Sequence, residues 1–351
     1  MRFCSSRRIV SLRYLFYPYH SWRKGKPKLR MAIMNRFVSA SVLFLFLLGC
    51  GSPVPLKVGT MPVIDSLPLS VARHKPIFAE NRLAVDILRF SELFELRNAL
   101  ISGRVDAIIT DLVEALIINE WKECGKIVRV SLKSSPDRPM FAIVAAPHQP
   151  TTPHSLENAR IALSREAMDR YVAYRLLRSA GVDRWAEIET GSTEQALETM
   201  RRGGATAALL SEPFISTALR SGGQVILDDR NMPIGQTVII FSQGMVEKKP
   251  ALIRRFLRAY EQSVREINVR PWRYLTLAKE FVRVPIGVST RMSIPRFPFP
   301  GEVPLQSDIE TAGAWLLMER VISRPISYKQ LVNSGFLLDP SQFRPATCCG
   351  W

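Results

Sequence analysis

The chain has 351 residues, is 47% hydrophobic, and carries 48 Lys/Arg against 31 Asp/Glu, a formal charge of +17. Ten of the basic residues and none of the acidic ones fall in residues 1–49. The rest is therefore only mildly basic, about +7, which argues against a nucleic-acid-binding protein. Five cysteines without a C-x-x-C pair and four scattered histidines, His20, His74, His148 and His154, give no zinc-site or disulfide framework.

Residues 1–33 hold nine Lys/Arg and no acid. They are expected to be an untranslated or disordered basic extension, with the true start at Met31 or Met34; Arg7-Arg8 has no apolar run close behind it, as a twin-arginine signal requires. From Phe37 to Gly49 there is an apolar run of thirteen residues, interrupted only by Ser39 and Ser41. A bilayer span takes about 20 apolar residues, so residues 34–49 read as a secretory signal whose charged start is Arg36. Its last residues with the next one, Leu47-Leu48-Gly49-Cys50, resemble the lipobox of bacterial lipoproteins. That resemblance implies cleavage before Cys50, acylation of Cys50, and a periplasmic or cell-surface protein lipid-anchored to a bacterial membrane.

Beyond Leu56 short apolar runs alternate with amphipathic stretches. "LKVGT" reads as a strand, "PLSVARHKPIFAE" as a helix, "AVDILRF" as a strand, "ELFELRNALIS" as a helix and "DAIIT" as a strand. Gly103 is placed to end the second helix, and Asp111-x-x-Glu114 to cap a helix running to about Trp121. "KIVRVSL" and "MFAIVAAP" follow as strands, before the proline-rich break "HQPTTPH" at 148–154. The plan then restarts with "ARIAL", "MDRYVAYRLLRSAG", "AEIET", "STEQALETMRRG" and "ATAALL" as strand, helix, strand, helix and strand. Residues 100–111 align without gaps on residues 200–211, sharing Gly103 with Gly203 and Ala107 with Ala207. "TVIIFS" reads as a strand returning to the first half. Two helices follow, the first with Leu252, Phe256, Tyr260 and Val264 on one face. The proline-dense "IPRFPFPGEVP" reads as an extended surface tether, Ser307-x-x-Glu310 as the cap of a further helix, and "SYKQLV" as the start of a short last one.

The expected fold is α/β, with two lobes that are each a mostly parallel sheet flanked by helices. Residues 50–146 form the first lobe, 147–235 the second, and 236–351 the return to the first with C-terminal helices. Ligands of such sheets bind beyond the carboxyl ends of the strands. Those ends hold Met61, Pro62, Val63 and Asp65, Ser91 and Glu92, Thr110 and Asp111, Ser164 and Arg165, and Ser211 and Glu212. They are hydrogen-bonding groups without a catalytic set. No G-x-S-x-G elbow or phosphate loop occurs, and neither a cofactor nor a metal is implied.

The order "VGTMPVIDSLPLSVARHKPIFAE", "ALISGRVDAIITD", "IALSREAMDRYVAYRLLRSAGV", "LLSEPF" and "FLRAYEQSVREIN" resembles the NMT1/SsuA-like substrate-binding proteins of ABC importers, from Leu56 to about Leu338. The resemblance implies the periplasmic-binding-protein type II fold, closing over a small-molecule solute and presenting it to a membrane permease driven by a separate ATPase. A monomer without nucleic acid is expected. Carried over, it points to Met61–Asp65, Thr110 and Asp111 in one lobe and to Ser164, Arg165, Met168 and Glu212 in the other, with Tyr171 as an aromatic wall or as helix packing. Sulfonates, nitrate and thiamine-precursor pyrimidines are the associated solutes. A helix N-terminus and Arg165 favour an anion, whereas Asp65, Glu92, Asp111 and Glu212 oppose one, a balance that leans to a neutral or amine-bearing heterocycle. The alternative is an enzyme on the same fold, such as a thiamine pyrimidine synthase. That resemblance implies an active-site histidine and a cysteine-rich motif, whereas His74 sits in a helix and Cys348-Cys349 in the tail. A regulator's effector domain would need a DNA-binding segment where the signal peptide stands.

Overall fold

The computed structural model describes residues 54–282, 293–339 and 341. The leader, Cys50 and Cys348-Cys349 lie outside them. The first half supplies β1 (Leu56–Thr60), β2 (Val85–Arg89), β3 (Ala107–Asp111), β4 (Gly125–Lys133) and β5 (Phe141–Ala145), with α1 (Leu67–His74), α2 (Ile77–Glu80), α3 (Leu93–Ile101) and α4 (Leu112–Ile118). The second supplies β6 (Arg160–Ser164), β7 (Ala186–Thr190), β8 (Ala207–Ser211), β9 (Gln224–Asp228) and β10 (Gln236–Ser242), with α5 (Ala167–Ser179), α6 (Thr193–Arg201) and α7 (Phe214–Arg220). Then come α8 (Gln243–Lys248), α9 (Pro250–Val269), α10 (Leu275–Phe281), α11 (Gln306–Met318) and α12 (Tyr328–Leu331).

Two five-stranded sheets result, ordered β2-β1-β3-β10-β4 and β7-β6-β8-β5-β9, within one compact unit that begins at Val54. In each, the first three strands are parallel and the fourth is antiparallel to both its neighbours. The sheets match position by position, and the aligned stretches 100–111 and 200–211 occupy equivalent places. Gly103 and Gly203 end α3 and α6 at φ +75 and +78, where a side chain would clash with its own backbone.

Each fourth strand comes from the other half of the chain. Strand β5 lies in the second sheet, so the chain crosses over between Lys133 and Phe141, ahead of the 146/147 boundary expected from the sequence. The apolar pattern of "FAIVA" suits either sheet, and only the pairing decides. The return crossover, 229–235, carries β10 back to the first sheet as expected. Buried Asp229 ties the two crossovers together, accepting from the backbone N–H groups of Met140 (2.8 Å) and Phe141 (3.1 Å).

Local departures have local causes. The helix over 68–80 breaks at Lys75, which is extended at φ −91, ψ 157 because Pro76 follows it. Helix α4 stops at Ile118, since the Asn119 side chain accepts from the N–H groups of Cys124 and Gly125 and turns the chain away, leaving Trp121 exposed. Helix α11 starts at Gln306, where Asp308 accepts from Leu305 N (3.2 Å); the Ser307–Glu310 cap does not form. Helix α7 and strand β9 have no counterpart in the sequence reading. The proline-dense segment is extended yet not superficial. Phe297 is fully buried and bonded at both backbone groups by Asn268 (2.8 and 2.9 Å), and Pro298 O accepts from Arg129 (2.7 Å).

Apolar burial fills three clusters. One joins both sheets through α4, α5 and α11, where Trp315 packs on Tyr171 with ring centroids 5.4 Å apart. A second lies under α1 and α9, with Phe256, Tyr260 and Val264 buried and Leu252 only half-buried, and a third under α6 and α7. A buried ion pair, Arg129 Nε to Glu261 Oε1 at 2.7 Å, fastens β4 to α9. No helix among the described residues is long and apolar enough to cross a membrane.

Candidate binding cleft

A cavity of about 590 Å³ opens between the sheets at the carboxyl ends of their strands, within the size range of small-ligand sites. All the strand-end candidates but one come together in its wall, with Met168: Met61, Pro62, Val63, Asp65, Ser91, Glu92, Thr110 and Asp111 from the first sheet, and Ser164, Met168, Ser211 and Glu212 from the second. Arg165 does not join them. It is exposed and lines a separate shallow groove with Thr190, Gln195 and Arg202, because the backbone pairing of Arg165 N with Thr190 O carries its side chain past the end of β6. Tyr171 is buried against Trp315 and is helix packing rather than a wall.

Several helix N-termini converge on the cleft, and the protein supplies their acceptors from its own side chains. Asp111 Oδ1 accepts from Glu114 N (2.7 Å) at the start of α4, and Ser192 Oγ from Gln195 N (3.2 Å) at the start of α6. Ser164 Oγ accepts from Glu166 N (3.1 Å), and the Glu212 carboxylate accepts from Ser216 N (3.3 Å) and Ser216 Oγ (2.9 Å) at the start of α7. The Glu114 side chain does not complete a reciprocal cap at Asp111; it turns to Arg97, whose Nη2 donates to Oε2 at 2.7 Å.

Burial dominates the titration of the floor. It pushes Asp65 up to about 6 against the opposing hydrogen bond from Ser66, and Asp169 up to about 7 against that from Ser164. Asp111 rises to about 8, first through burial and then through the charge of Glu114, with Glu166 and Asp169 adding to it. Thr110 is 5% exposed, and its Oγ1 has no hydrogen-bond partner among the described residues.

The sequence reading missed Asp169, the α6 start at Ser192–Glu194, and the crossover residues Arg138 to Phe141 with Thr237. Ser192 follows the end of β7 as Ser91 follows β2, so the strand-end rule already contained it. Asp169 and the crossovers carry no local signal. Among the described residues no histidine or cysteine lines the cleft, and no group of three His, Cys, Asp or Glu is arranged to hold a metal ion.

No curated protein matches the chain. Among solved structures, it is similar to the periplasmic aliphatic sulphonate binding protein SsuA from Escherichia coli (18% identity, TM-score 0.68, covering 80% of this chain and 92% of that one). It is similar to the ligand-binding component of an ABC-type import system from Staphylococcus aureus with zinc bound (14%, 0.65, 80% and 97%). It also resembles a DSZB mutant in complex with biphenyl-2-sulfinic acid (13%, 0.57, 81% and 97%). These likenesses establish the fold, two α/β lobes of the periplasmic-binding-protein kind. The NMT1/THI5-like family profile matches residues 64–272, more than half of the chain, and the protein belongs to that family.

Proposed function

We propose that the protein is the solute receptor of an ABC importer, closing its two lobes over a small molecule and handing it to a permease driven by a separate ATPase. The observation that carries this reading is the cleft itself, lined from both sheets at their strand ends and spanned by two crossovers that Asp229 ties together. That is the arrangement hinge closure needs. These cleft residues are proposed to contact the solute, for which sulfonate, nitrate and thiamine-precursor-like pyrimidine are the starting classes.

We further infer a mature chain that begins at Cys50, acylated there and held as a monomer at the outer face of a bacterial membrane. Two or more acyl chains exceed the marginal anchoring of one. Fractionation tests it: the protein is expected with membranes and Cys50→Ser in the soluble fraction. An unchanged distribution would refute the anchor. For the receptor reading, a solute that binds the folded state raises the melting temperature by mass action; conversion of that solute by the purified protein would refute a purely binding role.

A further inference from the structure

Among the described residues, the charge lining the cleft is nearly all of one sign. Buried Asp65 and Asp169 and half-buried Asp111 form its floor and exposed Glu92, Glu166, Glu194 and Glu212 its rim, against the single cation Arg138. Arg138 is hydrogen-bonded within the wall: Nη1 donates to Ser293 O at 2.7 Å and Nη2 to Ser293 Oγ. At three of the helix starts side chains of the protein take an N–H group that would favour an anion, Asp111 at α4, Glu212 at α7 and Ser192 at α6, whereas the starts of α3 and α5 carry no side-chain cap. Apart from Arg138, the charged side chains the cleft offers are acceptors. Independently of the charges, the Thr110 hydroxyl is buried in the cleft wall without a partner among the described residues, a costly state unless a bound molecule meets it. Apolar side chains from both lobes, Met61, Ile109, Phe141, Met168 and Phe214, complete the wall together with hydroxyls such as Ser91, Thr193 and Ser211.

Resting on the receptor reading above, we infer that the solute is a small organic cation, an amine or amidinium on an apolar body. Asp111 and Asp169 are its counter-ions from opposite lobes, and the Thr110 hydroxyl bonds it from the wall. Sulfonate and nitrate are disfavoured, because the rim carboxylates Glu92, Glu166, Glu194 and Glu212 repel them. The two aspartates line the same cavity. The other charges facing them are Glu166 and Glu114, the latter neutralised by Arg97. Burial holds Asp111 and Asp169 protonated to about pH 8 and 7, so a cation seated between them drives protons off, whereas an anion draws them on.

The test uses matched probes on the full chain: benzamidine against benzenesulfonate, agmatine against butanesulfonate, and nitrate. Thermal shift and titration calorimetry in buffers of different ionisation enthalpy are the readouts. The expected result is stabilisation by a cationic probe with proton release near neutral pH, and none by the anions. Asp111→Asn, which keeps the helix cap, is expected to weaken cation binding at least tenfold. Thr110→Val is expected to weaken it while raising the melting temperature of the ligand-free protein, an opposition that a merely structural role would not give. Stabilisation by a sulfonate or nitrate, or proton uptake on binding, overturns the cation inference and leaves the receptor reading standing. Cation binding indifferent to Asp111→Asn also overturns it. Silence in both arms counts against both.

Discussion

Asp111→Asn is the substitution whose effect on stability can be worked out most fully. In the folded protein the Asp111 carboxyl titrates at about 8, raised from 3.8 by burial and by Glu114. Between those values the folded chain holds a proton that the unfolded chain has released. Stability contributed by that proton is therefore present at low pH and is lost as pH climbs through the window. At 1.36 kcal/mol per unit the shift sets a ceiling of about 6 kcal/mol. The residue is only half-buried, so water in the cleft screens part of this, and about 2 kcal/mol is the realistic difference. Asparagine does not titrate, and it caps α4 as well as aspartate does. Urea unfolding of both proteins should give coincident stabilities near pH 4 and a variant more stable by about 2 kcal/mol near pH 8. A gap that is constant with pH, or a variant less stable near pH 8, would refute the reasoning.

Two further substitutions probe what holds the lobes. Glu261→Gln leaves the Arg129 guanidinium buried with carbonyl partners only, and is expected to cost about 3–5 kcal/mol in chemical denaturation; a loss below about 1 kcal/mol would mean that water reaches the pair. Asp229→Ala strips two backbone N–H groups of their acceptor where the crossovers meet, about 1–3 kcal/mol for each buried donor. Its signature is faster amide exchange at Met140 and Phe141 than in the parent protein, and unchanged exchange there would show that Asp229 does not hold the crossovers.

Much of this architecture was legible in the sequence because the relevant signals are local. Strand β1 shows as a short, mostly buried run, Asp111 and Ser192 cap the helices that follow them, and Gly103 and Gly203 mark equivalent helix ends one hundred residues apart. The strand-end rule then collected eleven wall residues without knowledge of the pairing. It failed where the outcome depends on contacts distant in the chain. Strand β5 joins the second sheet because its partners are β8 and β9. Phe297 leaves the surface because Asn268 receives its backbone, and Asp169, on the first turn of α5, lines the cleft beside Ser164, to which it is hydrogen-bonded. Arg165 misled for the opposite reason: it sits at a strand end, but its neighbour Ser164 faces the cleft and Arg165 points to the alternate side.

Hydrogen–deuterium exchange of the full chain, with and without the probe that gives the largest thermal shift, tests the central claim most directly. A solute enclosed between the lobes should slow exchange on both walls together, at residues 61–66 and 110–114 in the first lobe and 164–169 and 192–195 in the second. Protection confined to one lobe, or appearing only outside the cleft, would contradict it.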